Sequence, residues 1–414
     1  MAKIVLQASV FFLFLYLTSC NQTQESNQKT VAQDSTLTEG TFGYDLGFLK
    51  KHKSVLVLTA PDNADSRAIV VADYQGRVMT TTSGGDNGNS YGWINYELIK
   101  SGANKKHINA YGGEDRFWFS PEGGQFSVYF KRDQKFDFEN WQTPAAIDSE
   151  PFDIVSADSA SVKFRKNTVQ ENHSGTRFDL TIERTVSMLG TDRIKDLLKV
   201  SSLGATKVTA YESVNDIINN GADWKRETGG IGIWILGMFK PSDKTVIVAP
   251  FTTPHAGKPL LTSDYFGVIP ADRLVTGENA VFLKADGKAR SKIGLAPQSA
   301  TGFAGSYDSG KGILTIVQYD LDTAGDYMKS TWEIHKDPYQ GDALNAYNDG
   351  PLADGTQMGP FYELESSSRV FPLKKGEKLS HTHRTFHFEG DTEMMDQIAR
   401  KVLGVSLGQI SEVF

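Results

Sequence analysis

The chain has 414 residues, 22% of them charged, and a formal net charge of −7. An acidic balance without any basic block excludes nucleic acid as a natural partner, because neutralising phosphates takes clustered Lys and Arg. A single cysteine excludes an internal disulfide framework.

In chain order, Lys3 and the apolar run from Val10 to Leu17 come first, closed by Leu17-Thr18-Ser19-Cys20. The run is too short for a transmembrane helix and reads as a targeting segment over residues 1–20. The four closing residues resemble the bacterial lipobox. That resemblance implies lipidation of Cys20 and a membrane partner reached through acyl chains, with the protein at the outer membrane facing the periplasm. Residues 21–41 are rich in Gln, Ser, Thr and Asn and poor in large apolar side chains, so they are expected to be a disordered tether.

Residues 42–414 are expected to form a single domain. Short alternating runs such as Val55–Leu58, Ala68–Ala72, Arg77–Thr81, Val128–Lys131 and Thr176–Met188 predict strands. The pattern continues through Gly230–Leu236, Thr245–Ala249, Ile313–Tyr319, Thr331–His335, Phe361–Glu365 and Thr382–Phe388. Turns are marked by Asp286-Gly287 and Asp349-Gly350. One helix is expected after Asp391, with Met394, Met395, Ile398, Val402 and Leu403 on its apolar side and Gly404 as its stop. Asp320–Ser330 is expected to hold a helical turn. Many strands and little helix predict an all-β fold, a large antiparallel double sheet with a short C-terminal helix.

Chemistry concentrates first in Tyr111–Phe130, read as a loop. Its pairs Gly112–Gly113 and Gly123–Gly124 suit positive φ or a close backbone approach. Between them lie Glu114, Asp115, Arg116 and Trp118, a set of rim hydrogen-bonding groups and one flat platform that suits a polyhydroxylated ligand. A salt bridge that merely shapes the loop uses the same residues. Trp224, Trp234, Tyr265 and Trp332 are further stacking candidates, with Trp234 read as core within Ile-Gly-Ile-Trp-Ile-Leu.

Three stretches together resemble the galactose mutarotase-like (aldose 1-epimerase-like) β-supersandwich superfamily, and within it the uncharacterised bacterial lipoproteins. They are Ala68–Val71 with Tyr74–Met79, then Gly113–Pro121, and finally Phe361–Ser367 with Leu373-Lys374-Lys375-Gly376-Glu377. The resemblance implies a supersandwich that binds a carbohydrate and, in the enzymes of the class, an epimerase reaction run by a glutamate and a histidine.

Mutarotation requires a base for the anomeric hydroxyl and an acid for the ring oxygen. Glu363 and Glu365 alternate with Tyr362 and Leu364, so both point to one face of a strand, and Glu363 is favoured as base for its nearness to Gly359-Pro360. His381 and His383 share a strand face and are the candidate acids. The central segment Tyr211–Asn220 lacks the histidine that the mutarotase pattern carries there, while Asn215, Asp216 and Asn219 offer hydroxyl-binding groups or turn-forming side chains. No nucleotide, serine-hydrolase or zinc-protease motif occurs, and the reading includes neither a cofactor nor a metal. Two alternatives stand beside the epimerase: a glycan-binding or scaffold lipoprotein without catalysis, and a polysaccharide lyase-like enzyme.

Overall fold

The chain enters through helix α1 (Phe42–His52), whose N-cap hydroxyl, from Thr41, accepts from the Tyr44 amide. The computed structural model describes residues 37–253 and 259–414, so the signal-like segment, Cys20 and residues 21–36 of the tether lie outside the described residues. Strands β1 (Leu56–Ala60), β2 (Asn63–Val71) and β3 (Arg77–Thr82) then form a small antiparallel sheet. Helix α2 (Tyr96–Ser101), strand β4 (Arg116–Ser120) and the single turn α3 (Ala145–Asp148) come next. Three paired strands follow, β5 (Asp153–Ala157), β6 (Ser161–Glu171) and β7 (Arg177–Met188). Helix α4 (Thr191–Leu198) separates them from β8 (Lys207–Asn219), β9 (Gly232–Phe239) and β10 (Thr245–Pro250).

The second half is nearly all strand. It contains β11 (Leu261–Thr262), β12 (Leu274–Thr276), β13 (Ala280–Lys284) and β14 (Ser291–Leu295). Then come β15 (Phe303–Asp308), β16 (Ile313–Tyr319), β17 (Leu344–Asn348), β18 (Tyr362–Ser367) and β19 (Lys378–Glu389). Helices α5 (Thr392–Leu403) and α6 (Leu407–Ser411) close the chain. A ten-stranded sheet runs β12-β13-β10-β15-β16-β19-β8-β7-β6-β5, and a six-stranded sheet runs β11-β14-β17-β18-β9-β4. Every strand pair in them is antiparallel.

The two large sheets pack face to face. Phe117 and Phe119 of β4 and Ile233 and Ile235 of β9 meet Phe164, Leu180 and Ile182 of the ten-stranded sheet. Further along, Leu344, Ala346 and Leu364 meet Ile247, Val281 and Val317. Each such buried side chain contributes about 1.5–3 kcal/mol over leaving it in water. On the opposite face of the ten-stranded sheet, Met395, Ile398 and Leu403 of α5 cover Leu314, Phe386 and Phe388. That helix begins where expected: the Asp391 carboxylate accepts from the Met394 amide at 3.1 Å, and Gly404 ends it in the left-handed region.

The expected antiparallel double sheet with its C-terminal helix is therefore the observed architecture, with local corrections. Tyr111–Phe130 is not a loop throughout, because its centre is β4, an edge strand of the six-stranded sheet. The glycine pair before it turns the chain into that strand: Gly112 has φ +94°, and a Cβ there would lie 2.1 Å from the Trp93 carbonyl oxygen. Val128–Lys131 and Thr331–His335 are irregular rather than strands. Side chains take their backbone groups, Ser127 Oγ accepting from the Tyr129 amide and Gln125 Oε1 from the His335 amide. Asp320–Ser330 contains a turn at Asp322–Gly325, where the Asp322 carboxylate captures the Ala324 amide, in place of a helix.

Candidate functional site

Strand β18 sorts its residues between two very different surroundings. Tyr362, Leu364 and Ser366 point toward the ten-stranded sheet: Tyr362 meets Ser306 Oγ of β15 at 2.7 Å, and Ser366 Oγ meets His381 and His383 of β19. Glu363 and Glu365 must then point away from it, onto the outer face of the six-stranded sheet. Register places their neighbours. Glu363 stands opposite Met238 and Tyr347, and Glu365 opposite Leu236 and Asn345. Across β9, Arg116 pairs with Leu236 and Trp118 with Trp234, so β4 contributes those two side chains to the same face.

Each buried carboxylate holds a cation. Arg116 donates to Glu363, and Lys292 Nζ lies 2.9 Å from Glu365 Oε2. The Trp234 indole N–H donates to the same Glu365 oxygen at 3.0 Å. The cations also sit on aromatic faces, the Arg116 guanidinium 4.8 Å from the Trp118 ring centre and Lys292 4.8 Å from that of Trp234. Beside them the Tyr265 hydroxyl donates to Asp342 at 2.5 Å and accepts from Asn345 Nδ2 at 3.0 Å. Arg290 donates to the Tyr347 hydroxyl, which donates on to Asp349.

Burial sets the proton affinities. Desolvation pushes Glu363 up to about 7, against the pull of Arg116 and with the help of the Glu365 charge. Desolvation likewise raises Asp342 to about 6. Burial raises Glu122 as well, a carboxyl near Lys292, Glu365 and Trp332. Four buried polar atoms on this face have no hydrogen-bond partner among the described residues: Arg116 Nε, Trp118 Nε1, Ser120 Oγ and Glu365 Oε1. Open valences of that kind are costly in a fold and are rare unless something else fills them.

The residues expected to form a site thus divide. Glu363, Glu365, Arg116 and Trp118 come together on the outer face. His381 and His383 do not join them, because they lie between the sheets, sharing the Ser366 hydroxyl at 2.7 and 2.9 Å. Desolvation lowers His381 to about 3 and His383 to about 4, which keeps both imidazoles neutral. Asp115 is also internal, ion-paired with Arg184 at 2.7 Å and accepting from Ser213 Oγ at 2.8 Å, while Asn215 accepts from Arg184 at 2.6 Å. Glu114 lies near β3, where it accepts from the Thr81 amide at 2.6 Å and contacts His387 Nε2 at 3.0 Å. Asp216 points to the other face of the ten-stranded sheet, held by Lys378 and Ser380. Asn219 bonds the Gly221 amide and the Ala222 carbonyl, a turn-forming role.

Lys292, Asp342, Asn345 and Tyr347 were missed by the sequence reading; each is an ordinary polar residue on a short strand or loop. Trp234 was read as core and is indeed buried, yet its N–H serves Glu365. Over the outer face lies a cavity of about 70 Å3, lined by Phe266–Pro270, Arg273 and Ala289–Lys292. That is well under the roughly 300–1,000 Å3 of a ligand pocket. Within the Phe266–Pro270 segment Val268 is 95% exposed, while the Phe266 ring lies 3.8 Å from the Arg290 guanidinium. A larger cleft of about 880 Å3 lies elsewhere, between Tyr129–Arg132, Gln142–Glu150 and Thr168–Glu171. Its cations Lys105, Lys106, Lys131 and Arg132 are exposed, and it contains none of the buried carboxylate–cation pairs. No described helix is long and apolar enough to cross a membrane, and no group of three or more His, Cys, Asp or Glu among the described residues is placed to hold a metal ion.

Comparison with solved structures finds the Slr1438 protein of Synechocystis sp. PCC 6803, with a TM-score of 0.50 at 12% identity over 82% of this chain and 96% of that one. The likeness is one of fold. A candidate aldose 1-epimerase of Escherichia coli K12 overlaps with a TM-score of 0.48 at 12% identity, over 81% of this chain and 99% of that one. A galactose mutarotase-like protein of Lactobacillus casei ATCC 334 overlaps with a TM-score of 0.45 at 10% identity, over 81% and 100%. No match is found among the curated proteins. A family model matches residues 40–414, and the chain belongs to that family, DUF6786, a family of unknown function.

Proposed function

We propose that the outer face of the six-stranded sheet binds a carbohydrate and that Glu365 takes the proton of its anomeric hydroxyl, an aldose 1-epimerase-like reaction. The observation that carries this reading is the Glu365 carboxylate. One oxygen is fixed by Lys292 and Trp234, and the other has no partner among the described residues. A base held in place by one oxygen with the second left open is positioned for proton abstraction. Glu363, the base favoured from the sequence, is engaged by Arg116 and is better placed to orient a hydroxyl. Trp118 Nε1 and Arg116 Nε, neither with a partner among the described residues, supply donors. The sequence resemblance at Phe361–Ser367 supports the same chemistry.

The test is anomer exchange, followed by NMR with D-glucose, D-galactose and D-glucuronate. Accelerated exchange that Glu365→Gln abolishes supports the enzyme. Saturable binding without acceleration makes the protein a glycan-binding module, and no binding of any of the three sinks the carbohydrate reading. Anchoring at the outer membrane through Cys20, facing the periplasm, belongs to the same proposal. Fatty-acid labelling in cells that persists in Cys20→Ala would refute it.

A further inference from the structure

A sugar epimerase needs an acid as well as a base, and the histidines expected to supply one lie behind the sheet. The outer face offers another acid. Asp342 precedes β17, with Oδ2 accepting from the Tyr265 hydroxyl at 2.5 Å and Oδ1 from Thr262 Oγ1 at 3.3 Å. Asn345, which also binds the Tyr265 hydroxyl, is the direct cross-strand partner of Glu365. Lys292 stands between the two carboxyl groups, 2.9 Å from Glu365 Oε2 and 5.7 Å from the Tyr265 ring centre. Gly294 makes the seat: a Cβ there would lie 2.2 Å from Asp342 Oδ2, so any side chain would push the carboxyl off the sheet.

We infer that Asp342, oriented by Tyr265 and Thr262 over Gly294, is the proton donor to the ring oxygen of the sugar whose anomeric hydroxyl Glu365 deprotonates. The inference rests on the carbohydrate reading above. As Glu365 takes the O1 proton, the O1–H electron pair forms the second C1–O1 bond and the C1–O5 pair goes to O5, which receives the Asp342 proton. The open-chain aldehyde turns about C1–C2. Attack of O5 on the other face of C1 returns the O5 proton to Asp342 while Glu365 gives its proton back to O1, which restores both carboxyl groups, so no oxidant, reductant or co-reactant enters.

The charge environment agrees. The groups facing Asp342 are Tyr265 and Thr262, which donate to it, and the ammonium groups of Lys292 and Lys329, with Glu365 beyond Lys292. Desolvation outweighs all of these and holds the carboxyl at about 6, so a protonated fraction persists near neutrality. Tyr265→Phe removes a hydrogen bond that favours the charged form, so it raises that value further.

The experiment is anomer-exchange kinetics of the full chain on D-glucose, D-galactose and D-glucuronate between pH 5 and 8, with sugar binding measured in parallel. Asp342→Asn is expected to lower kcat by about 100-fold or more while the sugar Kd stays within about threefold. The fall of wild-type kcat as pH rises past about 6 should move to higher pH in Tyr265→Phe. Gly294→Ala, which keeps every charge, should lower kcat by about tenfold or more. If Asp342→Asn fails to fold, the Tyr265→Phe pH shift and the Gly294→Ala loss decide. Wild-type kcat and pH profile in the variants, with exchange intact in the parent, overturn Asp342 as the donor and leave the sugar site standing. A parent chain that neither binds nor exchanges any of the three sugars overturns the carbohydrate reading and this inference with it.

Discussion

The two faces of β18 bury comparable amounts of polar chemistry and arrange it in opposite ways. On the inner face, Ser366, His381, His383, Asn215, Ser213, Arg184 and Asp115 satisfy one another in a network that ties the two sheets together. Between the sheets, His383 Nε2, Thr385 Oγ1 and Tyr319 Oη are buried without a partner among the described residues. On the outer face, the carboxylates and cations are paired, yet four buried polar atoms stay open. A closed network stabilises and specifies packing, whereas fixed groups with open valences are preorganised for something that arrives later. Burial and charge do not separate structure from site here. What differs is the kind of atom left open, which on the outer face includes a carboxylate oxygen and a guanidinium nitrogen.

The sharpest way to break this comparison is to cut each face at its ion pair. Arg184→Ala strands Asp115 in a fully buried position and should cost about 3–5 kcal/mol in chemical denaturation. A loss under about 1 kcal/mol would mean that the inner network does not hold the sheets.

The pH dependence of stability should have opposite signs on the two faces. Glu363 is raised from 4.5 to about 7, so its contribution is fully present below pH 4.5 and is lost as pH rises through about 7. His383 is lowered from 6.5 to about 4, so its contribution is present above pH 6.5 and is lost as pH falls through about 4. Each amounts to roughly 3 kcal/mol at about 1.4 kcal/mol per pH unit. Urea titrations across pH should show Glu363→Gln flattening the loss toward neutral pH and His383→Asn flattening the acid limb. Flattening of the same limb by both would collapse the distinction.

Glu365→Gln should separate function from fold. Anomer exchange is expected to fall about 100-fold, equivalent to about 2.7 kcal/mol. The melting transition should move less than in Arg184→Ala, since Glu122 still faces Lys292. The smallest effect is the most direct comparison. Ser366→Ala leaves two buried imidazoles without their shared partner and should cost about 1–3 kcal/mol. Ser120→Ala removes a hydroxyl that bonds nothing among the described residues, and should change stability by no more than about 0.5 kcal/mol. Equal costs for the two would show that the open hydroxyl is paired in solution.

Local signals in the sequence were legible where the partner is close along the chain. The Asp391 cap and Gly404 stop bracket α5 because a helix end is satisfied within a few residues. Trp234 shows the opposite case. All eight residues of β9 are buried, since the sheet is covered on both faces, so no alternation reveals which side chain turns outward.

By itself the sequence determined that the chain is an antiparallel β protein and that Glu363 with Glu365, and His381 with His383, each share a strand face, because the period of a strand is two and needs no partner to be read. Only the tertiary structure decided that these two faces turn away from each other. Facing is set by register against strands far along the chain, as in the pairing of Arg116 with Glu363 across 247 positions. The same long-range pairing gathers Lys292, Asp342 and Asn345 around Glu365, and no local pattern encodes a neighbourhood whose members meet only after the sheets have closed.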